Sequence, residues 1–287
     1  MLILDGKLVA SQRFETLKSK ISKFNSSKGI TPGLAVVLVG EDPASQVYVR
    51  NKTKTSKDLG MNSTQINLPA STTQIELEAK IDELNQDEKI HAILVQLPLP
   101  KHLNEERALD RISALKDVDG LHIENQGLLW AGRPRTIPCT PNGVMKILEH
   151  YNISTSGKRA VVIGRSQIVG KPMASLLLAA NASVSICHSK TKDLKSYTTQ
   201  AEIVVVAAGI ERFIGKDSFA KDAVVIDVGM HRPVSGPFAN KLCGDVRFEE
   251  LGDWVSAATP VPGGVGPMTI QMLMENSFLL AELKSVK

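Results

Sequence analysis

Ser45, Tyr48, Lys52 and Ser56 fall at i, i+3, i+7 and i+11 of a stretch that reads as one helix, ASQVYVRNKTKTSKDLG, stopped by Gly60. That spacing puts all four on one helical face. A tyrosine and a lysine one turn apart can form a hydrogen-bonded acid/base pair, and lysine moves protons near neutral pH when burial or neighbours depress its pKa. Arg50, Lys54 and Lys57 stand in the same stretch, so a solvated cationic face has the same local pattern. Two further segments carry polar groups in informative places. VQLPLP sets Gln96 at the carboxyl end of an apolar run, where open α/β sheets bind ligands. KDVDGLH sets Asp117 and Asp119 in a glycine turn, where Asp119 could bond an amino-pyrimidine ring or simply cap the turn.

A different chemistry is written in AVVIGRSQIVGKPMASLLLAA, which reads strand, glycine turn, helix. Gly164 ends the strand and Gly170 opens the helix. The turn is GxSxxxG rather than GxGxxG, so its context in a βαβ unit carries the reading. Backbone N–H groups and the helix dipole at such a turn can hold a pyrophosphate; an ordinary strand-to-helix turn has the same glycines. The next strand ends in Cys187, His188, Ser189 and Lys190. NAD sites usually place an acid there for the ribose hydroxyls. A hydroxyl and a cation replace it, and Arg165 lies in the glycine turn, which favours NADP.

These residues need elements to hold them. Apolar, β-branched runs at 34–40, 91–97, 159–164, 182–187, 202–209 and 223–229 read as buried parallel strands, being continuous rather than alternating. Helix-start signals lie between them: Asp42-Pro43, a Thr73/Glu76 capping box, and Thr140-Pro141 opening a helix to about Tyr151. The alternation predicts α/β architecture with parallel sheets. A Gly/Pro/Asn/Asp-rich seam at 113–140 marks a domain change, giving a first domain over 1–139 and a Rossmann-like, doubly wound second domain over 140–267. TPVPGGVGP precedes a final helix at 268–284.

The chain of 287 residues suits two domains at about 100–200 residues each. A formal charge of +4, dispersed without a block of like charges, fits an anionic small substrate and argues against nucleic acid. Cys139, Cys187 and Cys243 have no metal-finger spacing, so no metal is expected, and their sparse, odd count suits a reducing compartment. The amino terminus lacks a secretory apolar region, and no run approaches the roughly 20 residues of a membrane span, so a cytoplasmic protein without membrane contact is expected.

Taken together, SQVYVRNKTKTSKDLGM, ILVQLPLP, KDVDGLH, PCTPNGV, VVIGRSQIVGKPM, CHSKT, VVIDVGM, CGDV and TPVPGGVGPMT resemble the methylenetetrahydrofolate dehydrogenase/cyclohydrolase family over about residues 33–275. The resemblance implies oxidation of 5,10-methylenetetrahydrofolate with NADP, then hydrolysis of the methenyl product to 10-formyltetrahydrofolate, in one-carbon metabolism feeding purine, methionine and histidine biosynthesis. It implies a folate cleft between the two domains, with the tail 268–287 packing back on the first. Lys52 would be the main catalytic group, Tyr48 would position the folate, Gln96 would tune Lys52, and Asp119 would hold the pterin. Leu97, Val261, Pro262, Gly263 and Gly264 would line the folate site. Gly164, Arg165 and Ser166 would contact NADP, with Ser189 at the 2′-phosphate and Met230 near the nicotinamide. A homodimer formed largely through the cofactor domain is implied too. Met230-His231 departs from the family's frequent Ile-Asn. A monofunctional dehydrogenase and a non-catalytic NADP-binding protein are the alternatives; the latter leaves Tyr48, Lys52, Gln96 and Asp119 unexplained.

Overall fold

The computed structural model describes residues 1–235 and 238–285; the last two positions of the expected tail lie outside the described residues. In chain order the first elements are β1 (Leu2–Ile3), α1 (Gly6–Lys28), β2 (Gly33–Val39), α2 (Pro43–Asp58), β3 (Asn62–Leu68), α3 (Gln74–Gln86), β4 (Ala92–Val95), α4 (Glu105–Arg111) and α5 (Ile123–Trp130). Then come α6 (Cys139–His150), β5 (Arg159–Ile163), α7 (Gly170–Ala179), β6 (Ser183–Cys187), α8 (Leu194–Thr198), β7 (Ile203–Val206), β8 (Val224–Asp227), β9 (Ala257–Ala258) and α9 (Val265–Ser285). They form two compact units: residues 12–137 with the chain from Ile270 onward, and residues 1–11 with 138–269. The first eleven residues therefore depart from a single boundary at 139. The reason is strand pairing: Leu2 and Ile3 sit in register with Ala257 and Ala258, making β1 an outer strand of the second unit's sheet.

In the unit of residues 12–137, three parallel strands run in the order β3-β2-β4. All seven residues of β2 are buried, as its unbroken GLAVVLV sequence requires of a strand covered on both faces. α3 begins with the expected capping box, Thr73 accepting from the Glu76 N–H while Glu76 bonds the Thr73 N–H. Its Leu77, Ile81 and Leu84 pack with Val37, Ile93 and Leu99 in the core. Each such side chain contributes about 1.5–3 kcal/mol when fully buried. β3 carries no apolar run; its NSTQINL sequence forms an edge strand with no fully buried residue, which hides it from a search for continuous hydrophobicity. α1 buries Leu17, Ile21 and Phe24, and Phe24 meets Phe278 of α9 edge-on at 5.4 Å.

The other unit is a six-stranded parallel sheet, β1-β9-β8-β7-β5-β6. Strand order reverses about β5, with β6 on one side and β7 on the other. That is the doubly wound arrangement whose carboxyl edge binds ligands at the reversal. Val161, Ile163, Val204, Val206, Val225 and Phe219 fill its core. α6 starts at Cys139 with Pro138 as its cap residue, one residue before the expected Thr140-Pro141 signal. Thr140 does not cap the helix; its hydroxyl bonds that of Thr269 at 3.0 Å instead.

Candidate active site

The helix that carries the candidate acid/base residues starts where its sequence says. Asp42 Oδ2 accepts from the Ser45 N–H at 2.7 Å and Pro43 occupies the first turn of α2. The predicted stripe is turned inward: Ser45, Lys52 and Ser56 are buried, Tyr48 is half-buried, and Arg50, Lys54 and Lys57 face solvent. This separates the stripe from a solvated cationic face. Lys52 is only 7% exposed, unusual for a lysine, and its Nζ donates to Gln96 Oε1 at 2.9 Å. Gln96 Nε2 donates in turn to the Leu97 carbonyl at 2.7 Å. Because an ammonium or amine approaching a carbonyl oxygen is the donor, this second bond fixes which end of the amide faces Lys52. The Lys52 Nζ lies 6.0 Å from the centre of the Tyr48 ring. Burial pushes the Tyr48 phenol above its ordinary pKa, so it keeps its proton through neutral pH. Ser56 is fully buried and its hydroxyl finds no hydrogen-bond partner among the described residues, so it belongs to packing and the chemistry narrows to Tyr48 and Lys52.

Gln96 reaches Lys52 because β4 lies beside β2 and ends one residue before it. The KDVDG turn is laid against the same strand: the Ile93 N–H donates to the Lys116 carbonyl at 2.8 Å, and Ile93 bridges Asp117 in parallel. Three anchors hold the turn. Lys116 Nζ caps the end of α3 through the carbonyls of Leu84 and Asp87, at 2.9 and 2.8 Å. Asp117 is buried and accepts from the His122 N–H at 2.8 Å and Asn125 Nδ2 at 2.9 Å. Burial pushes its carboxyl upward while those donors pull the other way. Asn276 of α9 donates to the carbonyls of Val118 and Ile137, each at 2.8 Å. Asp119 lies half-exposed beyond these anchors. The structure thus brings Lys52, Gln96, Leu97 and Tyr48 together, and holds Asp119 on a braced turn beside the same strand.

The sequence reading did not find Asn125 or Arg135. Asn125 also bonds the Ala114 carbonyl, and Arg135 Nη1 donates to Asn125 Oδ1 at 2.6 Å. Their only signal was polarity inside the loop-like 113–140 seam, which in fact contains α5. That helix starts on the His122 ring rather than on a hydroxyl or carboxylate, Nδ1 accepting from the Glu124 N–H at 3.0 Å.

In the other unit the glycine turn is sterically closed to side chains. Gly164 has φ +126°, and a Cβ there would lie 2.2 Å from the Ala207 carbonyl oxygen. A Cβ on Gly170 would lie 2.2 Å from the Gly164 oxygen. The loops after β5 and β7 therefore meet backbone to backbone at the strand reversal, the edge where doubly wound sheets bind ligands. Ser166 Oγ accepts from the Val169 and Gly170 N–H groups at 3.1 and 3.3 Å, shaping the entry to α7. Arg165 and Ser189 are both exposed. Each stands two residues past a paired position, Ile163 with Cys187, so they leave adjacent strands at the same level. Thr191 and His188 close the turn by mutual bonds at 2.8 Å, leaving Ser189 and Lys190 facing outward. Met230 is exposed after β8. Val261–Gly264 form the loop between β9 and α9, with a cis Val261-Pro262 bond and Gly263 at φ +104°.

Two buried aspartates tie these loops together. Asp227 accepts from the N–H groups of Gly229, Asp245 and Val246 at 2.9, 3.0 and 2.9 Å. Burial outweighs these donors and pushes its pKa up to about 6. Asp245 accepts from the N–H groups of Ala208 and Gly209 and from His231 Nε2, at 2.7, 2.9 and 2.7 Å. The quoted strings VVIDVGM and CGDV thus have one shared structural cause. A carboxylate inside an apolar strand end was the signal that could have found it.

The descriptions of known families agree with this division of labour. Residues 4–119 match the catalytic domain, and residues 138–285 the NAD(P)-binding domain, of tetrahydrofolate dehydrogenase/cyclohydrolase. The chain belongs to the tetrahydrofolate dehydrogenase/cyclohydrolase family. Among relatives in this family is the bifunctional protein FolD of Bdellovibrio bacteriovorus, 55% identical over 285 residues, 99% of this chain and 98% of that one. FolD of Lactococcus lactis subsp. cremoris is 53% identical over 284 residues, with 99% and 98% covered. Of solved structures in the family, the bifunctional FolD methylenetetrahydrofolate dehydrogenase/cyclohydrolase of Campylobacter jejuni superposes with a TM-score of 0.94 at 48% identity, covering 99% of each chain. The Trypanosoma brucei enzyme, complexed with NADP cofactor and an inhibitor, gives 0.93 at 36% identity, covering 99% of this chain and 98% of that one.

Proposed function

We infer that this protein is a bifunctional enzyme that oxidises 5,10-methylenetetrahydrofolate with NADP and hydrolyses the resulting methenyltetrahydrofolate to 10-formyltetrahydrofolate. The observation that carries the reading is the buried Lys52, bonded to Gln96, inside a family match that spans both units. NADP⁺, when bound, supplies the hydride acceptor; Gly164, Arg165, Ser166, Ser189 and Met230 would hold it, the Arg165 cation and the serine hydroxyls suiting a 2′-phosphate. The chain's own part in oxidation is alignment and exclusion of water.

Hydrolysis asks more of the side chains. Water adds to the methenyl carbon and loses one proton to solvent, cancelling the cation's charge; the second proton then leaves that oxygen as the bond from the carbon to the ring nitrogen N5 breaks and N5 takes a proton. Lys52 moves that proton, Gln96 fixes the direction of its Nζ, and the protonated Tyr48 positions the folate and donates a hydrogen bond. Asp119 holds the amino-pyrimidine edge of the pterin, and Leu97 adds an apolar folate contact from the same unit. The folate-side groups named first belong to residues 12–137, the cofactor-side groups to the other unit. Products of this reaction serve purine, methionine and histidine biosynthesis.

A homodimer through the cofactor unit is part of the same reading. What supports it is that β6 is an outer strand, with Ile186 on it and Leu178 and Tyr197 on α7 and α8 exposed. A cytoplasmic location fits the sequence; no helix among the described residues is long and apolar enough to cross a membrane. The test is to mix the protein with methylenetetrahydrofolate and NADP⁺ and to follow NADPH, with NAD⁺ as the paired control. NADPH formation supports the dehydrogenase; no reduction of either nucleotide removes it.

A further inference from the structure

His231 follows Met230 at the carboxyl end of β8, and its backbone pairs with Cys243 in both directions, at 2.8 and 3.1 Å. Its ring, part of a half-buried side chain, meets Asp245, a residue with no exposed surface, at 2.7 Å from Nε2 to Oδ1. The other Asp245 oxygen takes the Ala208 and Gly209 N–H groups. With every donor converging on the carboxylate, Nε2 is the ring nitrogen that carries the proton. A Cβ on Gly229 would come within 2.2 Å of Asp245 Oδ1, so the same oxygen also packs beside the turn that carries Met230. The chain of contacts continues: Ala207, next to Ala208, is the residue whose carbonyl presses on Gly164 in the glycine turn. One carboxylate therefore joins the loops after β7 and β8, and the first of these abuts the turn after β5.

We propose that His231 is a positioning residue for the cofactor, acting through Asp245 to fix the backbone of Ala208, Gly209 and Gly229 along the carboxyl edge of the sheet. The proposal rests on the reading of this unit as the NADP site. His231 touches neither the reacting carbon nor the hydrolytic residues; its effect is on how well the nucleotide is held. Loss of its N–H leaves one oxygen of a fully buried carboxylate without that donor, and the two loops lose their common brace.

The test is calorimetric titration of NADP⁺ into wild type, His231→Phe and His231→Gln. Phenylalanine keeps a ring without a donor, whereas the glutamine amide nitrogen reaches about as far as Nε2 and donates. Phenylalanine should weaken NADP⁺ binding about tenfold and raise its KM likewise, with kcat at saturating NADP⁺ changed less than about twofold. Glutamine should recover binding to within about threefold of wild type. Methenyl hydrolysis measured without nucleotide reports that each variant is folded. NADP⁺ binding by His231→Phe equal to wild type, or His231→Gln as impaired as His231→Phe, overturns the proposal while leaving the NADP reading intact. Failure of wild type itself to bind NADP⁺ overturns the reading of the unit and the proposal with it.

Discussion

Lys52 Nζ and Gln96 Oε1 stand 2.9 Å apart, and the opposite end of the Gln96 amide is tied to the Leu97 carbonyl. The lysine is thus held by a side chain that is itself held. Replacing Gln96 by Leu removes the acceptor and leaves a buried amine to find another. A loss of about 1–3 kcal/mol in transition-state stabilisation is expected, or roughly tenfold to hundredfold in methenyl hydrolysis. Steady-state assays on purified protein check it; an unchanged rate would show that Gln96 does not orient Lys52.

Asp117 and Asp119 lie two residues apart and should behave as opposites. Asp117→Ala strips the partner from the His122 N–H and from Asn125, so unfolding free energy in urea should drop by on the order of 3 kcal/mol. Asp119→Ala removes a half-exposed carboxylate with no bracing role, so stability should move by less than about 0.5 kcal/mol while the KM for folate rises. The reverse pattern would reassign the two residues.

Gly164→Ala forces a Cβ to within 2.2 Å of the Ala207 oxygen in a backbone conformation that L side chains rarely adopt. NADP⁺ binding should fall at least about tenfold, with hydrolysis of supplied methenyltetrahydrofolate retained better than oxidation. Equal losses in both reactions would show that the turn serves the fold as a whole.

Asp227 gives a pH signature. Its folded pKa of about 6 lies above the ordinary 3.8. Between those values the folded protein holds a proton that the unfolded chain has released. The stabilisation is therefore fully present below about 3.8 and is lost as pH rises through about 6. Asp227→Asn lacks this term. The stability of wild type relative to that variant should grow by on the order of 3 kcal/mol as pH is lowered from 7 to 4, read from urea unfolding. A flat difference would place the Asp227 pKa near its ordinary value.

Much of this was legible in the residues. Apolar runs located six strands; β2, β4, β5, β7 and β8 are buried because both their faces are covered, whereas β6, expected to be buried too, is an outer strand with Ser183 and Ile186 exposed. β3 escaped because its NSTQINL sequence lies on an exposed edge, and β1 and β9 because two-residue strands have no periodicity. The 45–56 stripe showed which residues share a face but not which way it turns; only packing settles that Lys52 is buried and Lys54 is not. The Asp227–Asp245–His231 network joins residues up to 37 positions apart through backbone N–H groups and the His231 ring, and no local pattern encodes such bonds.

The central claim is that one chain performs both reactions, with Lys52 carrying the proton of the second. Its most direct test is an ultraviolet time course of methylenetetrahydrofolate with NADP⁺, run with wild type and with Lys52→Met. Wild type should form NADPH with little methenyl accumulation, and the variant should lose at least about a hundredfold in methenyl hydrolysis. Full hydrolysis by Lys52→Met, or lasting methenyl build-up by wild type, would contradict the account.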